Sequence, residues 1–269
     1  MIKGIIHSLD NPYRLNTFLT SWEEHAQQAV SITVLYNHSD EDYKRGYEKV
    51  ISKFSKVSFV KTDNPKPSMF EILGLADEKY SALFTDEDIF YRKINKGGEE
   101  IVDSVFEEHK DLFSFSLRLG RNVTVNKQFG SPNIIIPLNK ENDNHLLVDW
   151  SKHYLDFGFP LCVHGHVFRT KEIRKLSQNV RWTNFDELQE NLQIFDRFPK
   201  KKMASFNKSL IVTDVAPPSQ TADMLTRKIL NLKWLDDNIL PVPIKKSKVD
   251  GIQFNFGIYA WLLKDQKIT

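Results

Sequence analysis

From Gly4 onward the chain switches between short β-branched apolar runs and longer stretches whose apolar residues recur every three or four positions. Gly4-Ile5-Ile6-His7 predicts a short buried strand, and Ser8-Leu9-Asp10 the loop leaving its C-terminal end. Asn11 followed by Pro12 marks a helix start, a capping side chain and then proline at the first helical position. Leu15, Phe18, Leu19, Trp22 and Ala26 fall on one face of that helix. Val30 to Tyr36 predicts a second strand. Ser39, with Asp42 three residues later, predicts a capping box for a helix whose stripe is Tyr43, Tyr47, Val50, Ile51 and Phe54. Lys56 to Val60 reads as a strand, Asp63 to Pro67 as a loop, and Met69 to Ala76 as a helix. Tyr80-Ser81-Ala82-Leu83-Phe84-Thr85 then reads as a buried strand that runs straight into Asp86-Glu87-Asp88. Alternation at these lengths predicts an α/β fold with a doubly wound, mostly parallel sheet.

Past the acidic triplet the pattern loosens. Gly97-Gly98 breaks the chain, and Glu99 to Glu108 reads as a helix. Leu112 to Leu119 alternates strictly, which predicts a strand with one polar face. Asn122 to Asn144 is a polar excursion with hairpin character, interrupted by the strand-like Ile134-Ile135-Ile136. Leu161 to Arg169 reads as a strand and Lys171 to Leu176 as a helix after it. Asn184 caps a helix running to about Phe195, and Leu210 to Thr213 is a short strand. Pro217-Pro218 makes a stiff turn, Ser219 to Leu232 a helix, and the aromatic tail Val249 to Leu263 packs back onto the body. With no repeats and no clear linker, residues 1–269 read as one domain. Its nucleotide-binding half would be 1–90, and 91–269 would hold the acceptor half and the tail.

Composition narrows the function classes. At 269 residues and 41% hydrophobic the chain can bury a full core. A net charge of +2 gives no field for nucleic acid, and Lys200 to Lys202, Lys245 and Lys246 read as solvated loop clusters. Cys162 is the single cysteine, so no intrachain disulfide forms. No apolar run approaches the roughly 20 residues of a transmembrane segment. The N-terminus enters a strand with no signal pattern, and a cytoplasmic location is expected. Neither G-x-G-x-x-G after the first strand nor G-x-x-x-x-G-K-[ST] is present, which excludes a Rossmann dinucleotide site and a P-loop.

The candidate chemistry begins at the triplet. Acids at the end of a central strand stand on the rim where open α/β sheets bind ligands. Asp86 and Asp88, one residue apart, can both turn toward one hard divalent cation, which shares its other positions with water and substrate phosphates. An isolated D-x-D is more often a solvated turn. His7, Ser8 and Arg14 flank the exit of the first strand, while Asn37 and Asp40 leave the second. Each alone is more often a cap or surface group, and their shared rim is what suggests substrate binding. Cys162-Val163-His164-Gly165-His166 is the second informative stretch. On a strand, His164 and His166 would share one face, as metal ligands or proton carriers, or one would be core and the other solvated. Asp156, between apolar neighbours, is either a base with a raised pKa or, more commonly, a turn cap.

The layout resembles GT-A fold glycosyltransferases, whose nucleotide-sugar half ends in a D-x-D motif. Asp86 and Asp88 match that motif. Phe159-Pro160-Leu161, Gly165-His166 and Phe168-Arg169-Thr170 are similar to a Pro-Leu…Gly-His…Arg-Thr stretch of small enzymes of this class, with His164 where an Asp is expected. The resemblance implies transfer of a sugar from a UDP- or GDP-sugar donor to a saccharide or other hydroxyl acceptor. It implies Mn²⁺ or Mg²⁺ on Asp86 and Asp88, with His166 as a third contact. His7, Ser8, Arg14, Asn37, Asp40, Lys66 and Glu87 would serve the nucleotide, Asp156 and His164 acceptor activation, and the tail lysines Lys245, Lys246 and Lys248 the diphosphate. Three other functions stay open: a sugar nucleotidyltransferase, a metal-dependent hydrolase built on His164 and His166, and a non-catalytic sugar-binding module.

Overall fold

The computed structural model describes residues 1–95, 97–126, 131–141, 143–153, 155–193, 200–215 and 254–255. Three αβ steps follow one another: β1 (Ile2–Leu9), α1 (Pro12–His25), β2 (Val30–Asn37), α2 (Glu41–Lys53), β3 (Ser58–Lys61), α3 (Pro65–Leu75) and β4 (Tyr80–Thr85). These four strands pair in parallel in the order β3-β2-β1-β4. Alternate residues of each strand enter opposite cores, which explains their near-continuous apolar sequence. Ile6 and Phe84 pack with Phe18 and Trp22 of α1, while Ile5 and Leu83 pack with Met69 and Leu73 of α3. Phe84 meets Phe18 and Phe90 at ring-centroid distances of 5.4 and 5.8 Å, which anchors the end of β4 from below.

A two-residue turn, Asp86-Glu87, separates β4 from β5 (Asp88–Phe90). After α4 (Gly98–Glu108) come β6 (Leu112–Ser116), β7 (Val125–Asn126), β8 (Ser131–Pro132), β9 (His145–Asp149) and β10 (His166–Arg169). Then follow α5 (Thr170–Gln178), α6 (Phe185–Gln193), β11 (Lys202–Phe206), β12 (Ile211–Val215) and β13 (Phe254–Asn255). The main sheet continues past β4 as β10-β6-β11-β9, with β10 antiparallel to both β4 and β6. One sheet thus runs through both halves of the chain. β5, β12 and β13 form a smaller sheet over its rim.

Several elements differ from the sequence expectation. Asp40, not Ser39, caps α2, because its carboxylate accepts the Tyr43 amide at 3.0 Å. Asn11 stands at the N-cap of α1 without a side-chain cap bond. The predicted loop at Asp63 to Pro67 is already helical from Pro65, capped by Asn64. β6 has no solvated face. Ser114 donates to the Pro160 carbonyl at 2.6 Å, and Ser116 accepts the amides of Arg118 and Leu119. In the excursion the paired residues are those of β7 and β8, while Ile134 and Ile136 are 74% and 54% exposed outside any strand. β11, unread in the sequence, lies inside the sheet between β6 and β9. The expected turn at Pro217-Pro218, the helix Ser219 to Leu232, and the tail with Lys245, Lys246 and Lys248 lie outside the described residues, apart from β13.

The strand expected over Leu161 to Arg169 starts only at His166. Gly165 takes φ +70° and turns the chain, its amide bonding the Leu83 carbonyl at 2.8 Å. A methyl group there would meet Ile211 Cδ1 at 2.7 Å. Left-handed strain and overpacking together predict that Gly165→Ala costs about 2–4 kcal/mol. Urea unfolding measures it, and a loss under about 0.5 kcal/mol, the range of neutral surface changes, would contradict the assigned turn.

Candidate active site

The C-terminal ends of β1, β2 and β4 share one rim, and the acidic turn leaves it at the centre. Asp86 is buried, and two residues from the exit of β1 reach it. Ser8 Oγ donates to Oδ2 at 2.6 Å and Asn11 Nδ2 donates to Oδ1 at 3.0 Å. Because the Ser8 proton points at a carboxylate, Tyr47 must be the donor in its 2.8 Å bond to Ser8. Tyr47 is itself steadied by the Asn11 amide at 3.2 Å. Burial, then the nearby Asp86 charge, raises the Tyr47 pKa, so the hydroxyl keeps its proton. The relay Tyr47→Ser8→Asp86 therefore braces the Asp86 carboxylate.

Glu87, the middle acid, accepts from Arg14 Nη1 at 2.8 Å, and that guanidinium is almost wholly buried. A buried pair of this kind is a poor source of net stability, yet removal of one partner strands the other charge. Asp88 is fully enclosed. Its Oδ2 accepts the Thr85 amide at 3.1 Å and its Oδ1 the Thr213 hydroxyl at 2.6 Å. His164 Nδ1 lies 3.3 Å from Oδ1 and 3.2 Å from Thr85 Oγ1. Burial opposes charge on His164, but the charge and hydrogen bond of Asp88 outweigh it and lift the imidazole to about 9.

The two histidines separate. With Gly165 turning between them, His164 reaches the acid while His166 goes under the sheet. His166 is fully buried, paired with Leu83 and Ser116, and its Nδ1 bonds the Pro160 carbonyl at 3.2 Å. Its Nε2 has no hydrogen-bond partner among the described residues. Burial, then the Arg118 cation, lowers its pKa to about 3, so it is neutral. His166 as the contact that closes on Asp86 and Asp88 is thereby corrected; His164 stands beside Asp88. Asp156 is corrected as well. It is buried and accepts from Arg118 at 3.1 Å, Asn126 at 3.0 Å and Asn133 at 2.9 Å. A guanidinium and two amides engage both its oxygens, so it pins the excursion to the segment after β6.

The remaining expected residues have assigned partners. His7 lies against the Phe185 ring at 5.4 Å, and burial, partly offset by Asp186, lowers its pKa to about 4. Asn37 is on the rim, donating to Asp63 at 2.8 Å and accepting from the His38 amide. Asp40 caps α2, and Lys66 donates to the Val180 carbonyl at 2.6 Å. Asn11, Tyr47, Arg118 and Thr213 were not singled out in the sequence. A threonine ending an apolar strand was the available signal for Thr213.

A hard cation fits this donor set: two carboxylates supply oxygen, and no thiolate competes. Among the described residues no group of three or more His, Cys, Asp or Glu is placed to hold a metal ion.

No family model matches the chain. A relative described as bifunctional glycosyltransferase pgtA, from Dictyostelium discoideum, is 22% identical over 197 residues. The match covers 66% of this chain and 25% of that protein, so the chain spans about a quarter of the relative's length. Residues 1–349 of S. aureus TarS superpose with a TM-score of 0.50 at 11% identity, covering 90% of this chain and 67% of that one. The mannosyltransferase PcManGT from Pyrobaculum calidifontis, solved with GDP-Man and Mn²⁺, gives 0.48 at 9% identity over 86% of this chain and 61% of its own.

The neutral burial of His166 has a pH consequence. The unfolded chain takes up its proton near 6.5, the folded chain only near 3, so stability falls as pH drops through that window. Between pH 7 and 5 the wild type should lose about 2 kcal/mol more than His166→Asn, at 1.36 kcal/mol per pKa unit. Urea midpoints at the two pH values measure this; equal losses would place His166 in contact with solvent.

Proposed function

We propose that this chain, which has the fold of the GT-A glycosyltransferases, transfers a sugar from a nucleoside-diphosphate sugar to a hydroxyl acceptor. The observation that carries the reading is a pair of braced carboxylates, Asp86 and Asp88, at the central rim of that fold. UDP- or GDP-sugars are the proposed donors, and Mn²⁺ or Mg²⁺ the proposed cofactor on the two acids. The first half would hold the donor and residues 91–269 the acceptor. A cytoplasmic site of action is proposed with it, supported by one free, buried cysteine, Cys162. Among the described residues no helix is long and apolar enough to cross a membrane.

When bound, the cation supplies Lewis-acid neutralisation of the departing diphosphate. The chain's own residues would do the rest. Ser8 and Asn11, with Tyr47 behind Ser8, hold Asp86 fixed in direction. Thr85, His164 and Thr213 do the same for Asp88. Arg14 neutralises Glu87, so the two flanking acids act without a third uncompensated charge beside them. Protonated His164, at the edge of the acids, would offer positive charge to the diphosphate. His7 and Asn37, on the same rim, would contact the nucleoside. A hydrolase built on His164 and His166 has less support, because the two imidazoles lie in different environments and His166 is enclosed.

Without a P-loop, phosphate binding should depend on the acid-bound cation. UDP or GDP with Mn²⁺ should raise the melting temperature, and the shift should largely vanish in chelator. Saturation at about 100 times the dissociation constant corresponds to about 2.7 kcal/mol, readily seen in a thermal-shift measurement. Equal shifts with and without chelator would remove the metal from the reading.

A further inference from the structure

We infer that Thr213 is a positioning residue for Asp88, holding through its buried hydroxyl the carboxylate orientation that binds the cation and donor; the inference rests on the function proposed above. Three parts of the chain converge on this acid. The Thr85 amide comes from β4 and fixes one oxygen at 3.1 Å. His164 comes from the turn before β10 and approaches the other at 3.3 Å. Thr213 comes from the C-terminal part and makes the shortest contact, 2.6 Å to Oδ1. Bonds between a hydroxyl and a carboxylate at such lengths are charge-assisted, among the stronger hydrogen bonds in proteins.

The delivery of that hydroxyl is built into the backbone. β12 pairs antiparallel with β5 so that Thr213 stands opposite Asp88, Val212 opposite Ile89 and Ile211 opposite Phe90. Ile211 and Val212 are buried and hold the strand by apolar packing, a task to which the hydroxyl adds nothing. Thr213 is itself fully buried, where an unpartnered hydroxyl would be costly. The next residues, Asp214 and Val215, pair with Phe254 and Asn255 of β13. A valine in place of Thr213 would keep shape and β-branching. It would leave Asp88 one donor short and free to turn away from the orientation that holds a cation.

The test compares full-length wild type, Thr213→Val and Thr213→Ser by titrating Mn²⁺ in the presence of UDP and, separately, GDP, reading free Mn²⁺ by electron paramagnetic resonance. Thr213→Val should weaken nucleotide-dependent Mn²⁺ binding at least tenfold, and Thr213→Ser should stay within about twofold of wild type, since it keeps the hydroxyl. Thr213→Ala carries the same comparison if valine prevents folding. Wild-type affinity in the hydroxyl-free variant would overturn the inference, and so would equal weakening in the serine and valine variants, which would assign the effect to disturbed packing of β12 rather than to the lost hydroxyl. Absence of nucleotide-dependent Mn²⁺ binding in the wild type is a distinct result: it would overturn the proposed function, and this inference with it.

Discussion

A carboxylate taken out of water must find donors in the protein, and two such groups at one strand end set the terms for everything around them. Asp86 and Asp88 are buried within one turn of each other, with Glu87 between them. Left unserved, three adjacent acids would repel one another and take up protons. Instead the structure brings a relay from α2 and the exit of β1 to the first, a buried guanidinium from α1 to the second, and an amide, an imidazole and a hydroxyl to the third. The start of α1 and the middle of β12 thus serve these acids directly.

That requirement also joins the two halves. β10 runs antiparallel beside β4, and the turn at Gly165 carries His164 over the rim while His166 passes beneath it. Asp156, with Arg118, Asn126 and Asn133, ties the excursion after β6 into the same region. In the proposed reaction the acceptor would approach over this second half, next to a donor held by the first. Burial of His166 and Asp156 makes them parts of that scaffold rather than groups that move protons.

The first half of the fold was legible because its signals are local. Apolar runs of strand length alternate with amphipathic stripes, and Asn11-Pro12 announces a helix. The same Asn-Pro pair recurs at Asn64-Pro65 and marks α3, but the apolar stripe there starts late and the loop reading displaced it. The second half depends on non-local pairing. Ser114 and Ser116 looked like a solvated face, and only β11 on one side and the Pro160 segment on the other make them interior. The period-two pattern of Leu161 to Arg169 suggested a straight strand, which Gly165 breaks with its positive φ. In the site, the acids were visible as residue types at a strand end. Of their partners Ser8, Arg14 and His164 were picked out as site residues, but Asn11 and Thr213 were not, because they lie 75 residues from Asp86 and 125 from Asp88.

The central claim is that the acid pair works on a nucleotide sugar rather than forming a solvated turn. Release of nucleoside diphosphate from a panel of UDP- and GDP-sugars with Mn²⁺, compared between wild type and Asp88→Asn, tests it most directly. The substitution is isosteric and removes the charge that a cation needs. The account predicts turnover by the wild type on at least one donor. It also predicts that a folded Asp88→Asn protein loses at least a hundredfold in rate, about 2.7 kcal/mol of transition-state stabilisation. A folded variant that turns over donor at the wild-type rate would contradict it.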